Sequence, residues 1–288
     1  MKREINFVIT GSEGFLSKNF IHYISDKNVT YFKVSHSSFN DDILKIKNLK
    51  LKNIVLIHNA FLHPSLLINT NEELYKKKSN ELFDKVLDFI VDSDISSIFY
   101  PSSGSTKKLR DIDNNLYKPY ADQKINEVES LTKLSSELGF KTIIPIIYSS
   151  IGPFGKSTRS SSLSSIPYNS YLGNDINILD KTNNSYSITC IKDLIQLSIS
   201  IFSDPLCESN LLFDVGNEII QIKDYIDMNI DIFNLDKDKV KYNFNTGKPQ
   251  NYFSDNSKYT ELLKRYSLNN TKVYDYLISL KNFFEVYS

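Results

Sequence analysis

An apolar pentapeptide, Ile5-Asn6-Phe7-Val8-Ile9, runs directly into Thr10-Gly11-Ser12-Glu13-Gly14 and then into a stretch whose apolar residues fall at Phe15, Leu16, Phe20, Ile21 and Ile24. The first piece has the length of a short strand, the second the residues of a turn, and the third the spacing of one helix face. The alternation continues. Val29 to Val34, Asn53 to His58 and Ile95 to Tyr100 read as strands, while Asn71 to Val91 carries a long helical pattern of Leu74, Leu82, Phe83, Val86, Leu87 and Ile90. Strands alternating with helices predict an α/β fold, a Rossmann-type doubly wound parallel sheet covered on both faces. Tyr120 opens a further helix that runs over Ile125 to Leu138 and is closed by Gly139; Thr142 to Tyr148 is another buried strand, interrupted by Pro145.

After about residue 150 the rhythm changes. Ser157 to Ser165 is serine-rich and reads as a loop, and later helices fall near Asp193 to Phe202, Ile222 to Phe233 and Tyr274 to Phe284. The expected organisation is a sheet domain over 1–155 and a smaller C-terminal mixed α/β lobe over 156–288, with some segments interleaved with the first domain. Composition sets the outer limits. Apolar residues make up 41% and charged residues 24% of the 288, which suits a chain folded throughout. Lys plus Arg and Asp plus Glu both total 34, so no global basic field attracts nucleic acid or an anionic membrane, and no apolar run is long enough to span a bilayer. Without a signal-like start, a cytoplasmic location is expected. Cys190 and Cys207 form neither a metal cluster nor a disulfide framework, and His58 and His63 lack further ligands at a useful spacing, so no metal is expected.

A glycine turn between a first strand and its helix lets the backbone approach a pyrophosphate, while the helix end supplies free N–H groups and partial positive charge. Gly11, Ser12, Glu13, Gly14, Phe15 and Leu16 are therefore candidates to hold a dinucleotide; a plain strand-to-helix turn is the alternative. The third small position of the fingerprint is Ser17 instead of glycine. NAD is usually selected by an acid at the end of the second strand. Here that strand ends Val34-Ser35-His36-Ser37-Ser38, with Asp41 and Asp42 too late, so Ser35, His36 and Ser37 favour NADP(H) over NAD(H).

Tyr120 and Lys124 lie four residues apart, on one face of a helix. Chance predicts about two such pairs in this composition, and the sequence has two, the other being Tyr23 with Lys27. Context separates them: only Tyr120 follows a strand that ends in Pro101-Ser102-Ser103-Gly104-Ser105. A phenol with a reference pKa near 10 is a poor base at neutral pH. A lysine cation ~4 Å away would favour the phenolate by at most roughly 4 kcal/mol at an effective dielectric of about 20. Tyr120, Lys124 and Ser103 are thus a candidate catalytic trio, in which the serine holds a carbonyl or carbinol oxygen and the phenol exchanges its proton during hydride transfer.

Taken in order, the glycine turn, Ile57-His58-Asn59-Ala60-Phe61, Asn80, Ser103, Tyr120 with Lys124 and Glu127, Gly152-Pro153, Lys192-Asp193 and Val215-Gly216 resemble the extended short-chain dehydrogenases over nearly the whole chain. This family contains sugar-nucleotide epimerases, dehydratases and ketoreductases. The resemblance implies that Asn59, Ala60, Phe61 and Asn80 also face the cofactor and that Ser103, Ser105, Ser149 and Tyr186 face a nucleotide-sugar substrate. It implies no metal, and a homodimer through a helix pair. Ile146, Ser149 and Tyr186 depart from the arginine, asparagine and arginine that the family often has there; Lys156 and Arg159 are cations that can meet a diphosphate instead. Reduction of a 4-keto sugar nucleotide is the first expectation and a 4-epimerase with bound NAD the second. A 4,6-dehydratase is disfavoured by Gly104 and Ser105, where that chemistry wants carboxyl groups. The non-enzyme alternative is a regulatory or scaffold protein that keeps the fold without turnover.

Overall fold

The computed structural model describes residues 5–25, 27, 29–68, 70–108, 117–155, 162–178, 183–242 and 251–287. The chain divides into two units, residues 1–146 with 198–212, and residues 147–197 with 213–288. Strand and helix alternate first through β1 (Asn6–Thr10), α1 (Phe15–Ser25), β2 (Thr30–Val34), α2 (Phe39–Asn48), β3 (Ile54–His58), α3 (Glu72–Val91) and β4 (Ile95–Phe99). The two-residue β5 (Ser102–Ser103), a single turn α4 (Ser105–Lys108), α5 (Lys118–Leu138) and β6 (Lys141–Ile147) come next. The remaining elements are β7 (Ser149–Ile151), α6 (Ser162–Tyr171), β8 (Ile176–Ile178), β9 (Ser185–Cys190), α7 (Ile191–Ser203), β10 (Asn210–Val215), β11 (Glu218–Gln221), α8 (Ile222–Phe233), β12 (Val240–Tyr242), α9 (Ser257–Arg265) and α10 (Val273–Tyr287).

In the first unit the strands lie in the order β2-β1-β3-β4-β6-β10, with β5 also paired to β6. The pairings β1 with β2, β1 with β3, β3 with β4, and β4 with β6 are all parallel. This is the doubly wound α/β sheet of Rossmann type that the alternation predicts. Every residue of β3 is buried, as a central strand covered on both faces requires, and Phe83, Val86, Phe89 and Ile90 of α3 join its core. The second unit has a core of its own beneath the three-stranded sheet β11-β9-β7 and the pair β12-β8. There α10 buries Phe284 against Tyr168, Tyr171 and Phe233, with ring centroids 5.2, 5.5 and 6.3 Å away.

Three local expectations change. Within the serine-rich stretch α6 begins at Ser162: Leu163 and Ile166 are buried, and tertiary burial overrides the weak helix propensity of serine. Strand β6 runs through Pro145 without interruption, because its ladder with β4 ends at Ile143, before the missing N–H matters to that pairing. Helix α2, absent from the expected elements, is held by Phe39, Ile43 and Ile46 on one buried face.

Candidate active site

The strand order turns back on itself at β1, which has β2 on one side and β3 on the other. Parallel strands bring their C-terminal ends to one edge, so the glycine turn, the segment after β3 and the segment after β4 share that edge. Gly11 has φ +62°, and a Cβ there would lie 2.6 Å from the Asn59 carbonyl oxygen, so only glycine lets the turn pass so close to the end of β3. A Cβ on Gly14 would meet only the Gly11 carbonyl oxygen, at 3.2 Å. Ser17 answers the missing third glycine. It is fully buried, donates to the Thr10 carbonyl at 3.2 Å and accepts from Asn59 Nδ2 at 2.9 Å, tying α1, β1 and the end of β3 together.

Thr10 Oγ1 accepts from the Ala60 N–H at 3.3 Å and shares a 2.8 Å hydrogen bond with His58 Nδ1. Burial, helped by the nearby Lys124 cation, pushes the imidazole down to about 3, so the ring is neutral.

The same edge fits a dinucleotide. The first i−4 bond of α1 runs from Lys18 N–H to the Gly14 carbonyl, which leaves the amides of Phe15 and Leu16 without an intrahelical acceptor. Buried Asn59 Oδ1 has no hydrogen-bond partner. Glu13, in the same turn, pairs with Lys18 at 3.3 Å. At the end of β2 the structure brings in a residue that the sequence spacing set aside. Asp42, in the first turn of α2, folds back so that Oδ2 accepts from Ser35 N–H at 3.2 Å and from Ser38 Oγ at 2.5 Å. Ser35 Oγ is in turn 2.7 Å from Ser38 Oγ and 3.1 Å from Ser37 Oγ, with His36 exposed between them. An acid therefore does stand at the end of the second strand, supplied from seven residues later.

Between α3 and α5 lies a tight cavity of about 10 Å³, lined by Ala60, Phe61, Leu62, Tyr75, Ser79, Leu82, Tyr120, Gln123, Lys124 and Glu127. Helix α5 starts at Lys118, with Pro119 in its first turn, so Tyr120 and Lys124 are both helical and share this wall. Lys124 is almost wholly buried. Its Nζ donates to the Pro101 carbonyl at 3.3 Å and lies 3.9 Å from the Phe61 ring centroid, 4.3 Å from that of Tyr100, and 3.9 Å from Glu127 Oε2. Burial pushes the ammonium down to about 8 against the opposing pull of Glu127. Ser103, on β5, shares a 2.5 Å hydrogen bond with Ser105, and α5 packs against that strand. The Lys124 bond to Pro101 thus anchors the helix two residues before the serine.

The structure brings Ala60, Phe61, Tyr120 and Lys124 to one cavity but leaves Asn80 out of it. Asn80 is exposed and lines a neighbouring groove with Lys76, Lys118, Asp122 and Asn126, because its place on α3 faces outward; its neighbour Ser79 lines the cavity instead. In the second unit, Ser149 is buried on β7, opposite Ile188 of β9. Tyr186, on β9, meets the Tyr252 ring at 6.0 Å, and Tyr148 meets the same ring at 5.0 Å while its hydroxyl donates to Asp214 at 3.1 Å. Lys156 and Arg159 lie outside the described residues. Sequence reasoning missed Tyr75, Tyr100 and Gln123; Gln123 sits four residues before Glu127, a helical spacing that was open to view, whereas nothing local marks the other two.

No protein-family model matches the sequence, and no curated protein matches it. Solved structures do. An epimerase from Methanothermobacter thermautotrophicus superposes with a TM-score of 0.78 at 10% identity, over 99% of this chain and 93% of that one. A UDP-N-acetylglucosamine 4-epimerase from Methanobrevibacter ruminantium, in complex with UDP-N-acetylmuramic acid, gives 0.75 at 16% identity over the full length of both. The chain shares its fold with these epimerases. A GDP-6-OMe-4-keto-L-xylo-heptose reductase from C. jejuni superposes with a TM-score of 0.78 at 11% identity, over 100% of this chain and 99% of that one. Among the described residues no helix of the fold is long and apolar enough to cross a membrane.

Proposed function

We propose that the chain is an oxidoreductase that moves a hydride between a nicotinamide dinucleotide and a carbinol or keto carbon of a nucleotide-activated sugar. What carries the reading is the cavity where Tyr120 and Lys124 meet Ala60 and Phe61 at the C-terminal edge of the sheet. A nicotinamide bound along this edge of the sheet would supply the hydride acceptor or donor. The protein supplies the rest. Tyr120 passes a proton to or from the substrate oxygen, the Lys124 cation favours its phenolate form, and the Ser103 hydroxyl, held by Ser105, steadies the same oxygen. Gly11 to Leu16 and Asn59 are the groups that would hold the dinucleotide, and Lys156 with Arg159 are offered as contacts to the substrate diphosphate.

Asp42 bears on the choice of reaction. A carboxylate beside Ser35 favours a ribose hydroxyl over a 2′-phosphate, since like charges repel. The reading here is therefore NAD(H), against the expectation from Ser35 to Ser37. With it, 4-epimerisation by a retained cofactor gains on reduction by an external one. Reduction stays as the second reading because exposed His36 and the hydroxyls of Ser35 and Ser37 also suit a phosphate. A panel of nucleotide sugars, followed at the nicotinamide absorbance and by sugar analysis, separates the two: an epimerase interconverts sugars without net cofactor consumption. Tyr120→Phe is expected to lower turnover about a hundredfold or more while cofactor binding and fold persist. Wild-type turnover in that variant refutes the assignment.

A further inference from the structure

The cavity floor holds a group that the reaction above does not use. In the first unit, Lys124 and Glu127 are the buried ammonium and carboxylate among the described residues. Glu127 is fixed from two sides: the Tyr100 hydroxyl donates to Oε2 in a short hydrogen bond, and Gln123 Nε2 donates to Oε1 at 3.1 Å. Tyr100 is completely buried and emerges from the end of β4, so the carboxylate is pinned to the sheet as well as to its own helix. Lys124 Nζ lies 3.9 Å from Oε2, between the faces of Phe61 and Tyr100.

We infer that Glu127 is a positioning residue for Lys124, clamped by Tyr100 and Gln123 so that its charge keeps the buried ammonium protonated and directed toward the cavity. The inference rests on the reading of Lys124 as part of the reaction, but its geometry does not. A buried ammonium without a counter-charge gives up its proton, and the backbone carbonyl of Pro101 with two ring faces offers only partial charge in compensation. Glu127 supplies a full one. The Tyr100 hydroxyl, pushed well above its ordinary range by burial and by Glu127, stays protonated and donates to the carboxyl group. The other titratable groups around the ammonium do not replace this charge. His58 on β3 is neutral and Tyr75 on α3, pushed up to about 12 by burial, stays protonated; Tyr120, on α5 itself, is the phenol on which the ammonium is proposed to act.

The test is a direct titration of Lys124 in the full chain by NMR of 13Cε-labelled lysine, with Lys124→Met assigning the signal. In Glu127→Gln, which keeps the shape, the Lys124 midpoint should move to lower pH by about one to three pH units. The pH profile of kcat/KM should move with it. If Glu127→Gln does not fold, Tyr100→Phe/Glu127→Gln removes both ends of the buried hydrogen bond, the milder loss, and is read the same way. An unmoved midpoint overturns the inference. A shifted midpoint with an unmoved activity profile upholds Glu127 as the determinant of Lys124 protonation and refutes instead the catalytic reading of Lys124.

Discussion

Single residues at this site are held by partners that limit what each can do. His58 sits under the glycine turn with its Nδ1 on Thr10 Oγ1 and its ring against Tyr100 at 5.6 Å. Its folded pKa, about 3, lies far below the free value of 6.5, so the fold keeps it neutral. Stability from this group is fully present above pH 6.5 and is lost as pH falls toward 3, where the unfolded chain binds a proton that the folded chain refuses. The whole loss amounts to at most roughly 5 kcal/mol. Urea unfolding at pH 7 and pH 4.5 should therefore show a steeper acid loss for the wild type than for His58→Asn. Equal losses would mean that the imidazole is not kept neutral by burial. Gly11 is constrained differently, by a positive φ and by the Asn59 carbonyl, so its identity serves the packing of the turn before any ligand arrives.

Among elements, the β2–α2 turn matters most for the cofactor. It is closed by three serine hydroxyls and the Asp42 carboxylate, which satisfy one another at the mouth of the expected ribose site. Asp42→Asn keeps the size of the side chain and removes the charge. Binding measured by nicotinamide fluorescence should favour NADH over NADPH in the wild type by about tenfold, a difference of about 1.4 kcal/mol, and the variant should lose most of that preference. Tighter NADPH binding by the wild type would return the site to the phosphate-accepting reading of Ser35 to Ser37. Helix α5 shows the same economy: Tyr120, Gln123, Lys124 and Glu127 project into one cavity from successive turns, so a rotation of the helix would move all four together.

At the scale of the molecule, the chain leaves the first unit after β6, returns for residues 198–212 and leaves again. The second unit rests on an aromatic core around Phe284, which is 1% exposed. Phe284→Ala should cost about 3–5 kcal/mol. Hydrogen exchange should report the loss chiefly in α6, α8 and α10, with β1, β3 and β4 retaining their protection. Uniform loss through both units would instead mean that the two cores open as one.

The strand, glycine turn and helix at the start, the alternation that follows, and the Tyr120–Lys124 face were legible in the sequence. Each depends on residues within a turn or two of one another, where period and turn chemistry act directly. The serine at position 17 looked like damage to a fingerprint; only the fold shows it bonded to both Thr10 and Asn59. Asp42 looked too distant to serve the second strand until α2 turned it back, and Asn80, matched by order along the chain, faces away because its neighbour Ser79 takes the inward position. Tyr100 and Glu127 are 27 residues apart and carry no shared pattern. Burial and hydrogen-bond partners at such separations are set when elements pack, so the tertiary structure alone decided which charges met in the cavity and which polar residues stayed outside it.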